Sequence, residues 1–475
     1  MRNLDELYPD YTAEIDAIRG KGLTVELLQK IIRKHKANAN YNRKLYERYV
    51  GIEEGIPIFS RQPRFDEENP INNKINNDFF GEIVDFKTGY FAGKPIAYGY
   101  SSGEESEETT GGKEAIDEAT KAVTDFTTRN NMYGCDMEIT KLASICGYAG
   151  RLFYIDEEKN ERVMPVMPFE TIILTETKIS EPAYAVRYFK TKDIDSNTIW
   201  IVEFYDDTNV YTFSGQLGNL TPGEVRPHLF DYCPLQGISN NYEMTGDCEK
   251  VLSAIDDYDK VLSDNSNEIE AFVHAYMVFD NVGIDDKELL KAQKAGSLNI
   301  RSRGTQEGKV YFLTKDINDS FTEHHLKRLE DNIYRFSKTP NLNDETFGNA
   351  ASGQSLKYKL LGHETKCGMF QANMMDAAQH MWKVLASSWG KKSVKVDPLQ
   401  CTMDFKRNFP LDIEAEARAA QTLRALGYPL EEVFKTLSWV DDADYIMEKV
   451  RQEKEESTSY YEDAENELLN APTAE

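Results

Sequence analysis

The 475-residue sequence predicts an α+β protein of several domains in which helices dominate. Three patterns support this fold class. Apolar residues recur every three or four positions over residues 356–389, which is typical of one very long helix. A second stripe of the same period runs through residues 248–276. Over residues 152–213, short β-branched and aromatic runs alternate, which indicates an antiparallel β meander with one covered face. A chain of this length is long enough to divide into several domains.

The part of the chain before the meander is predicted to be mainly helical. Residues 24–49 and 75–90 carry apolar side chains at helical spacing, and glycine and proline follow each pattern. Residues 95–100 have an extended pattern, and residues 101–114 form an acidic low-complexity stretch that we expect to be a disordered loop. The aromatic side chains of the meander are expected to fill its core, with stacking on nucleic-acid bases as the alternative.

A short helix and a polar loop precede the very long helix. Ser320 and Glu323 have the spacing of a capping box, which predicts that the short helix opens at Ser320 and that Pro340 stops it. Residues 341–353 are rich in Asn, Asp, Ser and Gly, which predicts a loop. The segment after this loop is long enough to span roughly 50 Å as one helix. Such a shape favours an element that crosses an assembly over a substrate pocket.

The segments around these helices complete the predicted architecture. Residues 277–319 carry one helical pattern, at 285–294, and two strand patterns, at 297–300 and 309–313. Near the C-terminus we expect a strand at residues 402–405 and helices that start at Ile413 and Leu430. The last 35 residues hold twelve Asp or Glu against three Lys or Arg, so we expect a frayed acidic tail.

Signatures of catalysis and metal binding are not legible in the sequence. Gly89 and Gly93 are too close for a phosphate loop, and Pro95 follows Lys94 where that loop needs Ser or Thr. His324 and His325 are adjacent, so on a helix they diverge by about 100° and do not chelate one metal. The six cysteines form no CxxC pair and are expected to be reduced and buried. We therefore expect no enzyme, cofactor or metal.

Net charge and hydropathy limit the kinds of partner that the protein can bind. The net charge of −26 disfavours tight, static binding to DNA phosphates, because such binding needs a basic face. The same charge suits either a conduit that repels a duplex or a protein that merely needs solubility, and both interpretations stay open. The sequence has no apolar run of eighteen residues and no signal-peptide pattern, so we expect no membrane span and assembly in a cytosol.

Three blocks of the sequence are long and unusual in composition. The first is NNKINNDFFGEIVDFKTGYFAGKPIAY, at residues 72–98. The second is YDKVLSDNSNEIEAF, at residues 258–272. The third is FSKTPNLNDETFGNAASGQSLKYKLLG, at residues 336–362. All three blocks resemble the portal proteins of tailed bacteriophages, in the branch common in phages of Gram-positive hosts, and they stand in the order of that family and extend over most of the chain.

The resemblance implies the portal fold, which has a wing, a stem, a clip and a crown. The long helix is implied to be kinked, and Gly362 and Gly368 are the expected bend points. The implied parts are the wing with the meander (1–245, meander 152–213), the stem helices (246–276 and 321–340), the clip (277–320), the tunnel loop (341–353), the long helix of wing and crown (354–391), and the crown with the acidic tail (392–475).

The resemblance also implies a function. The expected assembly is a ring, a dodecamer, at one capsid vertex of the virion, through which double-stranded DNA passes during packaging and ejection. Expected partners are terminase, the head-tail adaptor, and the major capsid and scaffold proteins, with assembly in the host bacterial cytoplasm. Two alternatives remain: a packaging ATPase or nuclease of the terminase type, and another capsid or scaffold protein.

The candidate site residues fall at the implied tunnel loop. A loop of short polar groups allows weak, sequence-blind contact with a moving duplex, and an ordinary surface connection is the alternative. The loop candidates are Asn341, Asn343, Asp344, Glu345, Thr346, Phe347 and Asn349. Three basic residues before the loop either line the channel or pair with neighbouring Asp and Glu, and both interpretations stay open: Lys327, Arg335 and Lys338.

Overall fold

The computed structural model describes most of the chain, and its description is limited to thirteen stretches. They are residues 9–63, 71–101, 110–192, 194–273, 276–280, 282, 309–313, 319–342, 353–408, 413–437, 440, 446–447 and 449–452. Within them we number α1 to α10 and β1 to β12 in chain order. Every strand pairing among these residues is antiparallel, and the mixture of helices and antiparallel sheets agrees with the predicted α+β class.

Two helices open the described chain: α1 (Thr12–Lys21) and α2 (Val25–Val50). The helix predicted over residues 24–49 is confirmed. Its N-terminus is capped by the Thr24 side chain, which accepts a hydrogen bond from the Leu27 amide at 3.2 Å. Its C-terminus is closed by Gly51, whose φ of 83° is the left-handed conformation that glycine adopts without strain.

The next helix, α3 (Phe79–Ala92), starts later than predicted. Ile75 and Asn77 lie outside it because their amides bond to α6 (Leu252–Val273) instead of extending α3. The Ile75 amide donates to the Ser263 hydroxyl at 3.0 Å, and the Asn77 amide donates to Asp259 at 2.9 Å. The stripe at residues 248–276 also overestimates α6 at both ends, since residues 248–251 form turns and residue 276 begins a strand.

Two further helices are α4 (Thr110–Arg129) and α5 (Met132–Cys146). The loop predicted over residues 101–114 is therefore wrong from residue 110 onward, and residues 102–109 lie outside the described stretches. The extended pattern at residues 95–100 is confirmed as β1 (Ala97–Tyr100). Its partner β12 (Cys401–Asp404) confirms the strand predicted near the C-terminus.

The predicted meander divides into two sheets. One sheet has the order β3-β2-β9. The other is a five-stranded meander of β4 to β8. The strands are β2 (Tyr148–Ile155), β3 (Glu161–Val166), β4 (Thr171–Leu174), β5 (Tyr184–Lys192), β6 (Thr198–Tyr205), β7 (Asn209–Gln216), β8 (Asn219–Pro227) and β9 (Leu235–Ser239).

The alternation on β6 is confirmed. Trp200, Val202 and Phe204 pack against α1 and α2, so these aromatic rings belong to the core of the sheet. The prediction of a single covered face is wrong, because the opposite face meets the three-stranded sheet. Tyr205 and Val210 are buried there.

The longest helix is α8 (Gly353–Lys391), which has 39 residues and is roughly 58 Å long at the rise of an α-helix. It confirms the very long helix, and its buried side reaches two separate core clusters. It is helical through Gly362 and Gly368, and a bend there stays a prediction. The preceding helix, α7 (Asp319–Ser337), already includes Ser320, so the capping box is wrong.

Between α6 and α7 lies an antiparallel pair, β10 (Tyr276–Asp280) and β11 (Lys309–Leu313). β11 confirms one predicted strand, and β10 was missed. The helix and strand predicted at residues 285–294 and 297–300 lie outside the described residues.

The remaining predictions concern the C-terminal helices, the cysteines and a membrane span. The helices expected from residues 413 and 430 are α9 (Ile413–Ala425) and α10 (Leu430–Thr436). All six cysteines are free thiols and five of them are buried, as predicted. Among the described helices, none is both long enough and apolar enough to cross a membrane.

Candidate functional site

The bases of α6 and α7 are held together by one aromatic residue of α3. The Phe79 ring lies 4.9 Å from the Tyr258 ring of α6 and 5.9 Å from the Tyr334 ring of α7, both nearly edge-on. The Tyr334 hydroxyl also donates to the Glu82 carboxylate of α3 at 2.6 Å. The two helices therefore share one fixed contact at Phe79, and the chain between them includes β10 and β11.

The exposed side of α7 and the residue directly after the helix carry a group of basic residues, which we call the cationic face of α7: Lys327, Arg328, Arg335 and Lys338. The first three project within about a third of the helix circumference. In the part of the chain that the structure describes, no carboxylate lies within 4.0 Å of their charged nitrogens. The exposed Asp331 shares this side and the exposed Glu323 lies one turn before Lys327, so the local balance is two positive charges.

Whether the predicted basic residues line the channel stays a prediction. Lys327, Arg335 and Lys338 are exposed and do not form ion pairs with the described carboxylates. Arg328 was not predicted, although its spacing of seven residues from Arg335 is two helical turns and was legible in the sequence.

The C-terminus of α7 ends in a left-handed turn rather than at Pro340. Lys338 has φ 57°, the Lys338 amide donates to the Arg335 carbonyl at 3.3 Å, and the Thr339 amide donates to the Tyr334 carbonyl at 3.1 Å. This pair of bonds is a Schellman motif. A residue other than glycine in this conformation costs about 1 kcal/mol, so neighbouring contacts must hold it in place.

Those contacts come from His363 and Lys366, which lie one helical turn apart on the buried side of α8. Lys366 donates from its ammonium group to the Ser337 carbonyl at 3.0 Å. His363 donates from Nδ1 to the Lys338 carbonyl at 3.1 Å, which fixes the proton on Nδ1 because a carbonyl only accepts. The carbonyls at the end of α7, which have no partner inside their own helix, are thus satisfied by a second helix.

Beneath this junction lies a buried group of charges, which we call the anchor cluster: Lys87, Asp247 and Lys366. The Asp247 carboxylate lies 3.1 Å from the Lys87 ammonium and 3.5 Å from the Lys366 ammonium. It also accepts from the Ser144 hydroxyl at 2.6 Å and from the Asn240 amide at 3.1 Å. Lys87 is fully buried and donates to the Asn240 side chain as well.

The pKa values of the cluster follow from burial and these contacts. Burial alone would raise the pKa of Asp247, but the charges of Lys366 and Lys87 outweigh it and hold the pKa well below its usual range. Burial lowers the pKa of Lys87, and Asp247 opposes that shift. Burial, with the nearby charge of Lys366, lowers the pKa of His363 to about 3, so its ring is neutral at physiological pH.

Sequence reasoning missed the anchor cluster, although α3 contained a signal for it. Phe80, Val84 and Phe91 mark the buried side of α3, and Lys87 stands at the next helical step between them. A lysine in a core position needs a buried partner. No sequence pattern identifies that partner as Asp247.

The structure places part of the predicted tunnel loop. The Asn341 side chain donates to the Glu330 carboxylate of α7 at 2.9 Å, which turns the start of the loop back along the helix. The other loop candidates lie outside the described residues: Asn343, Asp344, Glu345, Thr346, Phe347 and Asn349.

The buried polar residues beside α2 are hydrogen-bonded within the core of the protein. A cavity of about 220 Å³ beside α2 is lined by His35 and Tyr148, among others. Burial lowers the pKa of His35 to about 4, and the ring is hydrogen-bonded to the Tyr188 hydroxyl at 2.9 Å. Across the described stretches, His, Cys, Asp and Glu form no group of three or more that suits a metal ion.

Comparison with known proteins decides the family. Residues 28–460 match the family described as phage portal protein, SPP1 Gp6-like. The chain belongs to the phage portal protein family. It is 24% identical over 441 residues to a portal protein of Clostridium phage phiCD119, which covers 86% of this chain and 92% of the relative. It is 25% identical over 315 residues to the portal protein of Bacillus phage SPP1, which covers 62% of this chain and 59% of that relative.

Membership of the portal family confirms the resemblance carried by the three sequence blocks, all of which fall within the matched residues. Portal proteins are structural components of the phage virion rather than enzymes. The boundaries of wing, stem, clip, tunnel loop and crown in this portal protein stay predictions.

Proposed function

We propose that this portal protein forms a closed ring, a homododecamer, at one capsid vertex, and that double-stranded DNA passes along the ring axis during packaging and ejection. The observation that carries the proposal is the cationic face of α7 on a protein whose net charge is −26. It lies on the helix that leads directly into residues 341–353. In the ring, this face points toward the axis and the loop projects into the channel.

The charge distribution suits a duplex that must move. Each basic residue that neutralises a phosphate releases a counterion, and a long basic surface would therefore hold the DNA. Four basic residues per subunit, among many carboxylates, give a few exchangeable contacts that are strongly weakened by salt. The same contacts are blind to sequence, because they reach phosphates rather than base edges.

The formation of a ring requires a heterologous interface between neighbouring copies. One side of α8 is suited to it: from Tyr358 through Leu361 and Met369 to Met375, its exposed positions are apolar or small and carry no charge. Tyr358 is 78% exposed and Leu361 is 63% exposed in the single chain. A side chain added at Gly368 would meet nothing within 4 Å, so packing within the chain does not require this glycine. We assign this side to the contact with the next subunit.

The remaining partners follow from the position of each part. The segment between α6 and α7, which includes β10 and β11, is the clip, on which terminase docks during packaging and the head-tail adaptor docks afterwards. The helices and sheets of residues 1–245 form the wing, which meets the major capsid and scaffold proteins. The ring assembles in the host bacterial cytoplasm and remains in the virion.

The test reverses charge on the cationic face. Arg328→Glu combined with Arg335→Glu should reduce packaged DNA at least tenfold while the rings still form. Arg226→Glu combined with Lys190→Glu is the control, because both residues are exposed on the meander and the charge change is the same. Negative-stain images and native mass measurement count the subunits, and DNA per particle measures packaging.

Two outcomes would contradict the proposal. One is equal packaging by the α7 variant and the meander control. The other is a purified protein that never forms a ring with a central hole, or that hydrolyses ATP by itself as a terminase would. A deletion within residues 343–349, or Glu345→Lys, tests the loop separately, and unchanged packaging by both would remove the tunnel-loop assignment.

A further inference from the structure

The anchor cluster has an unbalanced charge. It contains two ammonium groups and one carboxylate, and all three side chains are almost completely shielded from water. A buried cation without a counter-charge is unfavourable. The third partner of the cluster is the C-terminus of α7, whose carbonyls carry the negative end of the helix dipole.

The contact between Lys366 and α7 is therefore not an incidental hydrogen bond. Lys87 and Asp247 form a neutral pair, with the Ser144 and Asn240 side chains completing the carboxylate. The charge of Lys366 is in excess, and the Ser337 carbonyl, on a buried residue, accepts from it. If the end of α7 moved away, a buried carbonyl and a buried ammonium would both lose their partner.

We propose that Lys366 is a positioning residue for the loop: it latches the end of α7 to α8, so that residues 341–353 leave every subunit from the same fixed point. This inference rests on the proposed function, because it assumes that the loop acts in the channel. The left-handed Lys338 and its bond to His363 are part of the same latch. The latch then holds Ser337 and Lys338 in one position relative to α8.

The cluster itself supplies a matched pair of variants. Lys366→Met and Lys87→Met remove the same side chain and the same charge from one cluster, and each leaves Asp247 with one lysine. Only Lys366 contacts α7. A purely structural role predicts the same outcome for both variants, whereas a latch predicts that only Lys366→Met releases the junction. Lys366→Arg keeps the charge and the donor and should behave as the unmodified chain.

The first measurement is hydrogen exchange of the Lys338 and Thr339 amides in the purified full-length chain, because these amides close the Schellman motif. Lys366→Met should speed their exchange at least tenfold. Lys87→Met and Lys366→Arg should leave it within about twofold of the original chain. Equal acceleration in the two methionine variants would overturn the latch, because it would reflect a general loss of stability.

The second measurement is packaged DNA per particle from rings that contain each variant. Lys366→Met should lower it at least tenfold with ring formation intact, and Lys87→Met should not. If Lys366→Met frees the amides but packaging stays normal, the positioning role is wrong. The proposed function then still stands if charge reversal on α7 blocks packaging. If Lys366→Met fails to assemble, His363→Leu is the substitute, because it removes the contact to Lys338 without changing the charge. Amide exchange at Lys338 and Thr339 and packaged DNA per particle are then measured on this variant, and the latch requires faster exchange together with less packaged DNA.

Discussion

Two of the buried aspartates among the described residues, Asp247 and Asp136, lie beside basic residues, and the two sites are built differently. Asp247 lies between two lysines and accepts from Ser144 at 2.6 Å and from Asn240. Asp136 lies 3.8 Å from one guanidinium nitrogen of the fully buried Arg151, and the Tyr98 hydroxyl donates to its other oxygen at 2.6 Å. Among the described residues, the three guanidinium nitrogens of Arg151 have no hydrogen-bond partner.

The pKa values of the two carboxyls diverge accordingly. Burial, the largest influence, raises the pKa of Asp136 to about 6, and the charge of Arg151 only partly opposes it. At Asp247 the two lysines outweigh burial and lower the pKa. Two carboxyls that are equally hidden from water thus differ in which protonation state the fold prefers. The comparison shows that the geometry of the partners, not burial, decides whether a buried charge stabilises this protein.

Removal of each carboxylate gives the largest contrast. Asp247→Asn leaves two buried lysines without a counter-charge and should lower the free energy of unfolding by about 3–5 kcal/mol. Asp136→Asn at pH 7 should instead raise it by about 2 kcal/mol, because the amide resembles the protonated carboxyl that the fold prefers. Urea unfolding of the purified chains, followed by circular dichroism, measures both. Equal losses would mean that burial alone sets the cost.

A pH series sharpens the same contrast. The pKa of Asp136 is raised in the fold, so between about pH 4 and pH 6 the folded chain binds more protons than the unfolded chain. The stabilisation from this group is therefore complete below pH 4 and is lost as the pH rises through 6. The pKa of Asp247 is lowered, so its stabilisation is present above about pH 4 and is lost on further acidification.

The expected result concerns the difference between Asp136→Asn and the original chain. From pH 4 to pH 6.5 the variant should gain about 2 kcal/mol relative to the original, because most of the pKa shift, at 1.36 kcal/mol for each unit, takes effect in this range. Urea midpoints measured at half-unit intervals check this, with Thr140→Ser, one helical turn away on α5, as the control that keeps the carboxyl. A difference that does not depend on pH would show that Asp136 titrates normally in the fold.

The helices and strands differ in how well the sequence alone predicts them. The bounds of α2 were predictable because its signals are local: Thr24 caps it and Gly51 closes it. The start of α3 was not predictable, since it depends on side chains of α6 that are distant in sequence. β10 was missed because its first residue, Tyr276, continued the helical stripe of α6.

The candidate site was predictable only where its signals are local in the sequence. The helix-loop-helix order and the basic residues Lys327, Arg335 and Lys338 follow from local patterns and from the resemblance to portal proteins. The anchor cluster joins α3, the turn before α6, and α8, and only the folded chain brings these segments together. Asp247 even fell inside the range predicted as a stem helix, where its role had no local signal.

The smallest expected contrast concerns the hydroxyl groups that bond to the two carboxyls. Ser144→Ala removes a hydrogen bond to a carboxylate that stays charged, so it should cost about 2 kcal/mol, in the range for bonds to charged groups. Tyr98→Phe removes a bond to Asp136, whose charge the fold disfavours, and should cost about 1 kcal/mol or less at pH 6, since the protonated carboxyl loses little. Urea unfolding at pH 6 and pH 8 separates the two hydroxyls. The loss of unfolding free energy from Ser144→Ala should be equal at both pH values. The loss from Tyr98→Phe should be larger at pH 8, where Asp136 is ionised. If Tyr98→Phe costs the same at both, the Tyr98 hydroxyl does not stabilise the Asp136 carboxylate, and the contrast between the two aspartates rests on Lys87 and Lys366 alone.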